Sequence, residues 1–348
     1  MTFSDTKDLE EFCSILSKTT GLSFPISRYT FVRNQLTPLM EKYGCTNATE
    51  VIIKSKSDIK LRIELINSLT THETWFFRHP KQFEILTQHI LPELIEKKKG
   101  KSINIWSAGC SIGAELYSIL ISILESYEPD ALPILNLLGS DISQEAVDIA
   151  KKGIYSKYDL RTTDREIIKK YFTQISEESW QIKQELNKYI TFENLNLLNN
   201  LPPRTFDIIF CRNTMIYFNE ENKNKIVEKL FKTLELGGYF FTSANEQISI
   251  NADCCNIKRL YLENEVVYQK SKKTSKYCVL YFNTASELLK AVNFLRKNPY
   301  EFKFGDSATN DMGIKVRPIY IKAEESEKII KTLAYNSIKI QKSEIISQ

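Results

Sequence analysis

The 348-residue chain predicts an α/β protein in three parts: an N-terminal helical bundle, a doubly wound sheet domain carrying an insertion, and a C-terminal α+β domain of ferredoxin-like order. Three observations predict this. Residues 1 to about 70 carry helix-period apolar patterns with few β-rich runs between them. From residue 103 short apolar strands alternate with amphipathic helices, the pattern of a parallel sheet covered on both faces. From about Lys276 the order becomes βαββαβ.

Taken in order, "DLEEFCSILSKTTG" places Leu9, Phe12, Cys13, Ile15 and Leu16 on one broad face and stops at Gly21. "YTFVRNQLTPLMEKYG" and "DIKLRIELINSLT" repeat the amphipathic pattern, and "KKKGK" at 97–101 marks an exposed connection. "INIWSAG" then reads as a strand, "GAELYSILISILESY" as a helix, "LNLLGSDIS" as a second strand and "QEAVDIAKKGIY" as a second helix. "YITFENLN", "FDIIFCRN" and "YFFTSANE" continue the strands; the helix between the last two is expected to start at an Asn219 cap and stop at Gly237. Between Tyr155 and Lys188 the alternation lapses into an insertion with short strands at "YFTQI" and "SWQIK". In the tail, "YCVLYFN", "EFKFG", "GIKVRPIYIK" and "SIKIQK" read as strands around two helices. The expected division is 1–75, 76–272 with the insertion at about 156–188, and 273–348.

Bulk properties exclude several classes. The hydrophobic fraction is 42% and the aromatic fraction 11%, as in ordinary globular protein, and no run approaches the ~20 apolar residues of a membrane span. The acidic start "MTFSDTKDLEEF" lacks the apolar centre of a signal peptide. Seven scattered cysteines without a CxxC pair read as free thiols of a reducing cytoplasm. With His72, His79 and His89 the only histidines, no metal site and no Ser-His-Asp triad are expected. The net charge of +4 is uneven: from Ser271 onward 14 Lys+Arg face 8 Asp+Glu, or +6, which leaves −2 for the rest. The tail lysines are evenly spaced and arginine is not clustered with aromatics, so a solvated surface is expected and neither nucleic-acid binding nor membrane insertion.

Ligands of a doubly wound sheet bind outside the carboxyl ends of its strands. Two features meet there. "AGCSIG" ends the first strand, where Gly109 and Gly113 let backbone approach a ligand, and Asp141 ends the second, where a carboxylate can accept both hydroxyls of a ribose. The turn is neither G-x-G-x-x-G nor a phosphate loop, and Glu115 in the first helical turn would repel a pyrophosphate. Glu115 instead suits an ammonium or sulfonium, which favours S-adenosylmethionine over NAD; stabilising the helix dipole accounts for it equally well by itself.

"LTTHETWFFRHPKQF", "IWSAGCSIGAELYSI", "SDISQEAVDIAKKGIY", "FENLNLL" and "FDIIFCRNTMIYFN" stand in an order and spacing that resemble the CheR-type chemotaxis receptor methyltransferases, over about Leu9 to Gln269. The resemblance implies a helical domain joined to a Rossmann-like S-adenosylmethionine domain with a small antiparallel β-subdomain at the insertion. It implies methylation of glutamate side chains on the helical cytoplasmic region of chemoreceptors, with the β-subdomain as the place where a receptor tail would be tethered. Carried over by position, the cofactor residues are His72, Thr74, Arg78, Gly109, Glu115, Asp141, Asn196, Leu197, Cys211, Arg212 and Asn213. Glu115 and Arg78 would lie near the methionine end, Asp141 near the ribose and Asn196 near the adenine, while Arg78 and Tyr217 would shape the transfer site. Trp75, Phe76 and Phe77 are expected to anchor the segment that holds Arg78 over the cofactor.

The chain departs from that pattern in places. His72 replaces an asparagine, "GAELYS" lacks one acid and a proline but keeps Glu115, and "TSANEQ" stands for a Gly-His-Ser-Glu-Asn-like stretch with Glu246 still aligned. The tail resembles a short selenium/sulfur carrier-like domain, but Asp311 and Met312 occupy its usual cysteine pair, so the tail is expected to be an interaction or regulatory module. The rival reading of the whole is a catalytically silent S-adenosylmethionine-binding regulator, or a methyltransferase of a non-chemotaxis receptor-like partner.

Overall fold

Helices α1 (Thr6–Thr20), α2 (Tyr29–Tyr43), α3 (Ala48–Ser55) and α4 (Ile59–Leu69) bury Leu9, Phe12, Val32, Leu36, Val51, Leu61 and Leu65 against one another. The Asp8 carboxylate accepts the Ala48 and Thr49 N–H groups at 2.7 and 3.1 Å, so α1 caps the start of α3 from outside. This computed structural model describes residues 6–70, 73–199, 201–246, 248, 256–271, 276–298, 300, 302–304, 308–309, 315–316 and 318–347. His72, Cys254, Cys255, Asp311 and Met312 lie outside the described residues.

A longer helical stretch follows that the apolar pattern did not announce. α5 (Pro80–Ile85) runs through a widened turn at Leu86–Ile90 into α6 (Leu91–Lys98). Pro92 has no N–H to donate, and the Leu91 N–H reaching back to the Leu86 carbonyl loosens the turn that its ring must enter. The alternating region then gives β1 (Ile103–Ala108), α7 (Ala114–Ser126), β2 (Leu135–Asp141), α8 (Gln144–Lys152), β3 (Ile154–Ser156), α9 (Arg165–Tyr171), β4 (Phe172–Ser176), β5 (Ser179–Ile182), β6 (Ile190–Asn194), β7 (Phe206–Phe210), α10 (Glu220–Thr233), β8 (Leu234–Phe241), β9 (Asn256–Leu262) and β10 (Glu265–Ser271). The central sheet has the order β6-β2-β1-β7-β8-β10-β9; its first five strands are parallel and the β9–β10 hairpin antiparallel. That hairpin was not read from sequence. Its turn, Glu263–Asn264, has φ of 48° and 67°, the backbone twist a tight hairpin needs, but without the glycine that usually signals it.

Three expected boundaries move, and the first is the last strand, read at "SIKIQK" (337–342) but formed by Lys342–Ser347. The helix read through "KKGIY" ends at Gly153, φ 64°, because Ile154–Ser156 pairs with β5. α10 does start at the Asn219 cap, but it ends at Thr233, not at Gly237. Leu234 already pairs with Phe206 on β7, and Gly237 (φ 83°) sits in the register shift between that pair and Ile208–Tyr239. Strands β3, β5 and β4 form a separate antiparallel sheet in that order.

Met1–Ser271 is one compact unit. One face of its sheet, with Trp106, Ile209 and Phe240, shares a single apolar cluster with α1–α4, while the other face packs on α5–α8 through Phe83, Leu91, Leu116 and Val147. Lys272–Gln348 is the second unit. It contains β11 (Lys276–Tyr281), α11 (Ala285–Lys297), β12 (Phe302–Phe304), the short pair β13 (Ala308–Thr309) and β14 (Lys315–Val316), β15 (Ile319–Lys322), α12 (Ala323–Tyr335) and β16 (Lys342–Ser347). Its main sheet is antiparallel in the order β12-β15-β11-β16, with Leu280, Leu295, Ile321 and Leu333 fully buried.

Candidate functional site

The site begins where β1 and β2 end side by side. The Gly109 and Cys110 N–H groups both donate to the Ser140 carbonyl, at 2.8 and 2.9 Å, which turns the chain sharply off β1. Gly109 has φ 88°, and a Cβ there would stand 2.1 Å from Thr214 Oγ1, so no other residue lets the β7 loop come this close. The Asp141 carboxylate accepts the Ser111 N–H on one oxygen (2.8 Å) and the Ser143 N–H on the other (2.9 Å).

In the first turn of α7, Glu115 accepts the Ser107 hydroxyl at 2.7 Å and pairs with Arg212 at 3.3 Å. Burial pushes the Glu115 carboxyl above its usual range, against the pull of the Arg212 guanidinium and the Ser107 hydroxyl. Arg212, only 5% exposed, also donates to the Arg78 carbonyl at 2.8 Å. Burial depresses its pKa, and the neighbouring Glu115 opposes that shift.

Arg78 lies in a tight turn between Phe77 (φ 55°) and His79 (φ 62°). Phe76 holds this turn: it is fully buried, with edge contacts to Tyr155 and Phe172, while the Phe77 N–H donates to Ser118 Oγ at 2.9 Å. Trp75 is not a core anchor as expected. It lines the cleft, with the Arg78 and Arg161 guanidinium carbons 4.6 and 4.0 Å from its ring centroid. Across the cleft, Tyr217 is carried by the loop after β7, and its carbonyl accepts the Ser23 N–H at 2.6 Å, which ties that loop to the chain after α1.

These parts surround a cleft that is partly open to solvent. Thr74, Arg78, Gly109, Glu115, Asp141, Asn196, Leu197, Arg212, Asn213 and Tyr217 all line it. Cys211 does not: it is fully buried in the cluster shared with α1–α4, and burial pushes its thiol well up. Gly113 serves packing rather than a ligand, since a Cβ there would meet Ala150 and Phe192 at about 3 Å. The Asn196 side chain is already engaged, donating to the Thr20 carbonyl and accepting the Leu198 N–H. Ser111, Ile142 and Thr214 also line the cleft and were not singled out; Ile142 and Thr214 could have been marked by adjacency to Asp141 and Asn213, and Ser111 by its place between Gly109 and Gly113.

The residues present fit S-adenosylmethionine. Glu73, Glu115 and Asp141 all line the cleft, and the Nε atoms of Arg78 and Arg212 are buried without a hydrogen-bond partner among the described residues. No cluster able to hold a metal occurs among the described residues. A first prediction concerns the turn. Gly109→Ala is expected to destabilise the protein by about 2–3 kcal/mol, from the positive φ and the collision with Thr214. It should also weaken S-adenosylhomocysteine binding at least tenfold, which thermal melting and calorimetric titration would measure.

The profile of the family described as "CheR methyltransferase, SAM binding domain" matches residues 72–260. The chain is 34% identical to a chemotaxis protein methyltransferase of Borreliella burgdorferi, over 71% of its own length and 90% of that protein. It is 33% identical to chemotaxis protein methyltransferase 1 of Pseudomonas aeruginosa, over 70% and 90%. Against a chemotaxis protein methyltransferase of Vibrio anguillarum the identity is 31%, over 72% and 92%.

Proposed function

The chain belongs to the CheR methyltransferase family, and from that premise we propose that it esterifies glutamate side chains on the helical cytoplasmic region of chemoreceptors. It is an S-adenosylmethionine-dependent methyltransferase of chemotaxis, a protein-glutamate O-methyltransferase by kind. The observation that carries the reading of the site is the convergence of Glu115, Asp141, Arg78 and Tyr217, from four separate segments, on one cleft.

When bound, S-adenosylmethionine supplies an electrophilic methyl group on a positively charged sulfur. Glu115 would hold the ammonium of its amino-acid end and Asp141 the ribose hydroxyls, with Asn196 and Leu197 beside the adenine. Thr74, Arg212 and Asn213 complete the wall. A glutamate carboxylate has a pKa of about 4.3 and is already ionised at neutral pH, so it would need no general base to take the methyl group, whose bond to sulfur would break with the electron pair left on the thioether. What remains for the protein is alignment at roughly 3–3.5 Å and exclusion of water. Arg78, stacked on Trp75, offers a planar fork that orients the incoming carboxylate while keeping its own proton. Tyr217 faces it with a phenol that donates one hydrogen bond.

Functionally we divide the chain into a helical domain (1–75), the methyltransferase domain (76–272) and a ferredoxin-like module (273–348) that serves interaction or regulation. The β3–β5–β4 sheet is our candidate for tethering a receptor tail. We place the activity in the cytoplasm; among the described residues no helix is long and apolar enough to cross a membrane. Incubating the full chain with methyl-labelled S-adenosylmethionine and receptor cytoplasmic fragments is expected to give base-labile label on glutamates. Cofactor binding without such label would instead identify a silent regulator.

A further inference from the structure

Glu246 does not itself line the cleft, yet five donors converge on its carboxylate. Oε2 accepts the Asn213 N–H at 2.7 Å, the Ser243 hydroxyl at 2.6 Å and the Ser243 N–H at 3.3 Å. Oε1 accepts the Met215 N–H at 2.8 Å and the Ile216 N–H at 3.2 Å. The side chain is 6% exposed, and no ion pair among the described residues involves it. Such a buried carboxylate is tolerable only because backbone amides and a hydroxyl fill its lone pairs.

Three of the five donors belong to one short stretch, 213–216, between the end of β7 and Tyr217. That stretch is irregular: Asn213 has φ 54°, and Met215–Tyr217 is a single 3-10 turn whose first amides have no carbonyl of their own to reach. The acceptor comes instead from the turn after β8, where the Glu246 N–H closes on the Ser243 carbonyl at 2.9 Å. The carboxylate therefore straps the β7 loop to the β8 end, and that loop carries Arg212, Asn213 and Tyr217 to the cleft.

We propose that Glu246 is the positioning residue of the methyl-transfer loop, setting the backbone of 213–216 so that Tyr217 meets the incoming carboxylate. The inference rests on the methyltransferase reading of the cleft for its activity arm only. Misplacing a reacting partner by about 1 Å can cost roughly 10²-fold in rate, so a residue remote from the chemistry can matter this much. Glutamine is the discriminating substitution: it has nearly the same shape, but its NH₂ must face either the Asn213 and Ser243 donors or the Met215 and Ile216 donors.

In the full chain, Glu246→Gln is expected to lower kcat for receptor-fragment methylation by about tenfold to 10²-fold. Hydrogen exchange in the peptide spanning 211–217 should quicken at least tenfold, with β1 and β2 unchanged. Tyr217→Phe should add less than about threefold on the Glu246→Gln background, because the phenol is already misplaced. Unchanged exchange, unchanged kcat, or losses that multiply in the double variant would each overturn the proposal. If Glu246→Gln does not fold, Ser243→Ala removes one donor to the same oxygen. It should lower kcat several-fold at unchanged melting temperature, and an unaltered kcat there would equally reject the role. An inactive parent protein would defeat the methyltransferase reading, whereas the exchange measurement would still judge the strap.

Discussion

Replacing Arg78 with alanine is expected to reduce kcat/KM for glutamate methylation by roughly 10²–10³-fold, the scale of one lost charged donor at a reacting centre. Stability should change little. What the rest of the site takes from Arg78 is its backbone carbonyl, which accepts from Arg212 at 2.8 Å and survives the substitution. Among the described residues the guanidinium stacks on Trp75 and donates to the Glu73 carbonyl at 2.8 Å. Binding of S-adenosylhomocysteine should weaken less than turnover, because the fork is assigned mainly to the incoming carboxylate. Arg78→Lys should recover only part of the rate, since it returns the charge without the plane. A folded Arg78→Ala protein that methylates at the parental rate would remove the residue from the mechanism.

Glu115→Ala should damage fold and binding together. The substitution leaves Arg212 at 5% exposure without its carboxylate, and breaking one side of a buried pair costs about 3–5 kcal/mol. A fall in melting temperature of roughly 5–15 °C is the expected readout. Cofactor binding should fall at least 10²-fold in calorimetry, because the buried carboxylate assigned to the ammonium is gone. Glu115→Gln separates the two effects: it keeps the hydrogen bonds to Ser107 and Arg212 within reach, so stability should recover more than affinity. Equal losses of both would show that Glu115 serves Arg212 alone and not a cationic ligand.

Much of this was local and therefore legible. Gly109, Glu115 and Asp141 stand at a strand end, in a first helical turn and at the next strand end, places defined by apolar period and turn residues within a few positions of each. The Asn219 cap was equally readable, since its side chain accepts from Asn222 three residues on. Gly237 misled because a glycine near a helix end usually stops it. Here the pairing of Leu234 with Phe206, 28 positions earlier, ended α10 first. Trp75 and Cys211 misled for a related reason. Sequence position put both at the cleft or its support, but which side of the backbone each faces depends on partners far along the chain: Arg161 for Trp75, and the core shared with α1–α4 for Cys211.

By itself the sequence determined the order of helices and strands, the chemistry at the ends of β1 and β2, and the family. Periodicity and turn preference are short-range properties, and five ordered motifs are hard to mistake. The tertiary structure alone decided that Arg212 neutralises Glu115, that Thr214 presses on Gly109 and that Glu246 holds the loop of Tyr217. Those contacts join residues about 30 to 105 positions apart, and their geometry exists only once the parallel sheet has brought the ends of β1, β7 and β8 together.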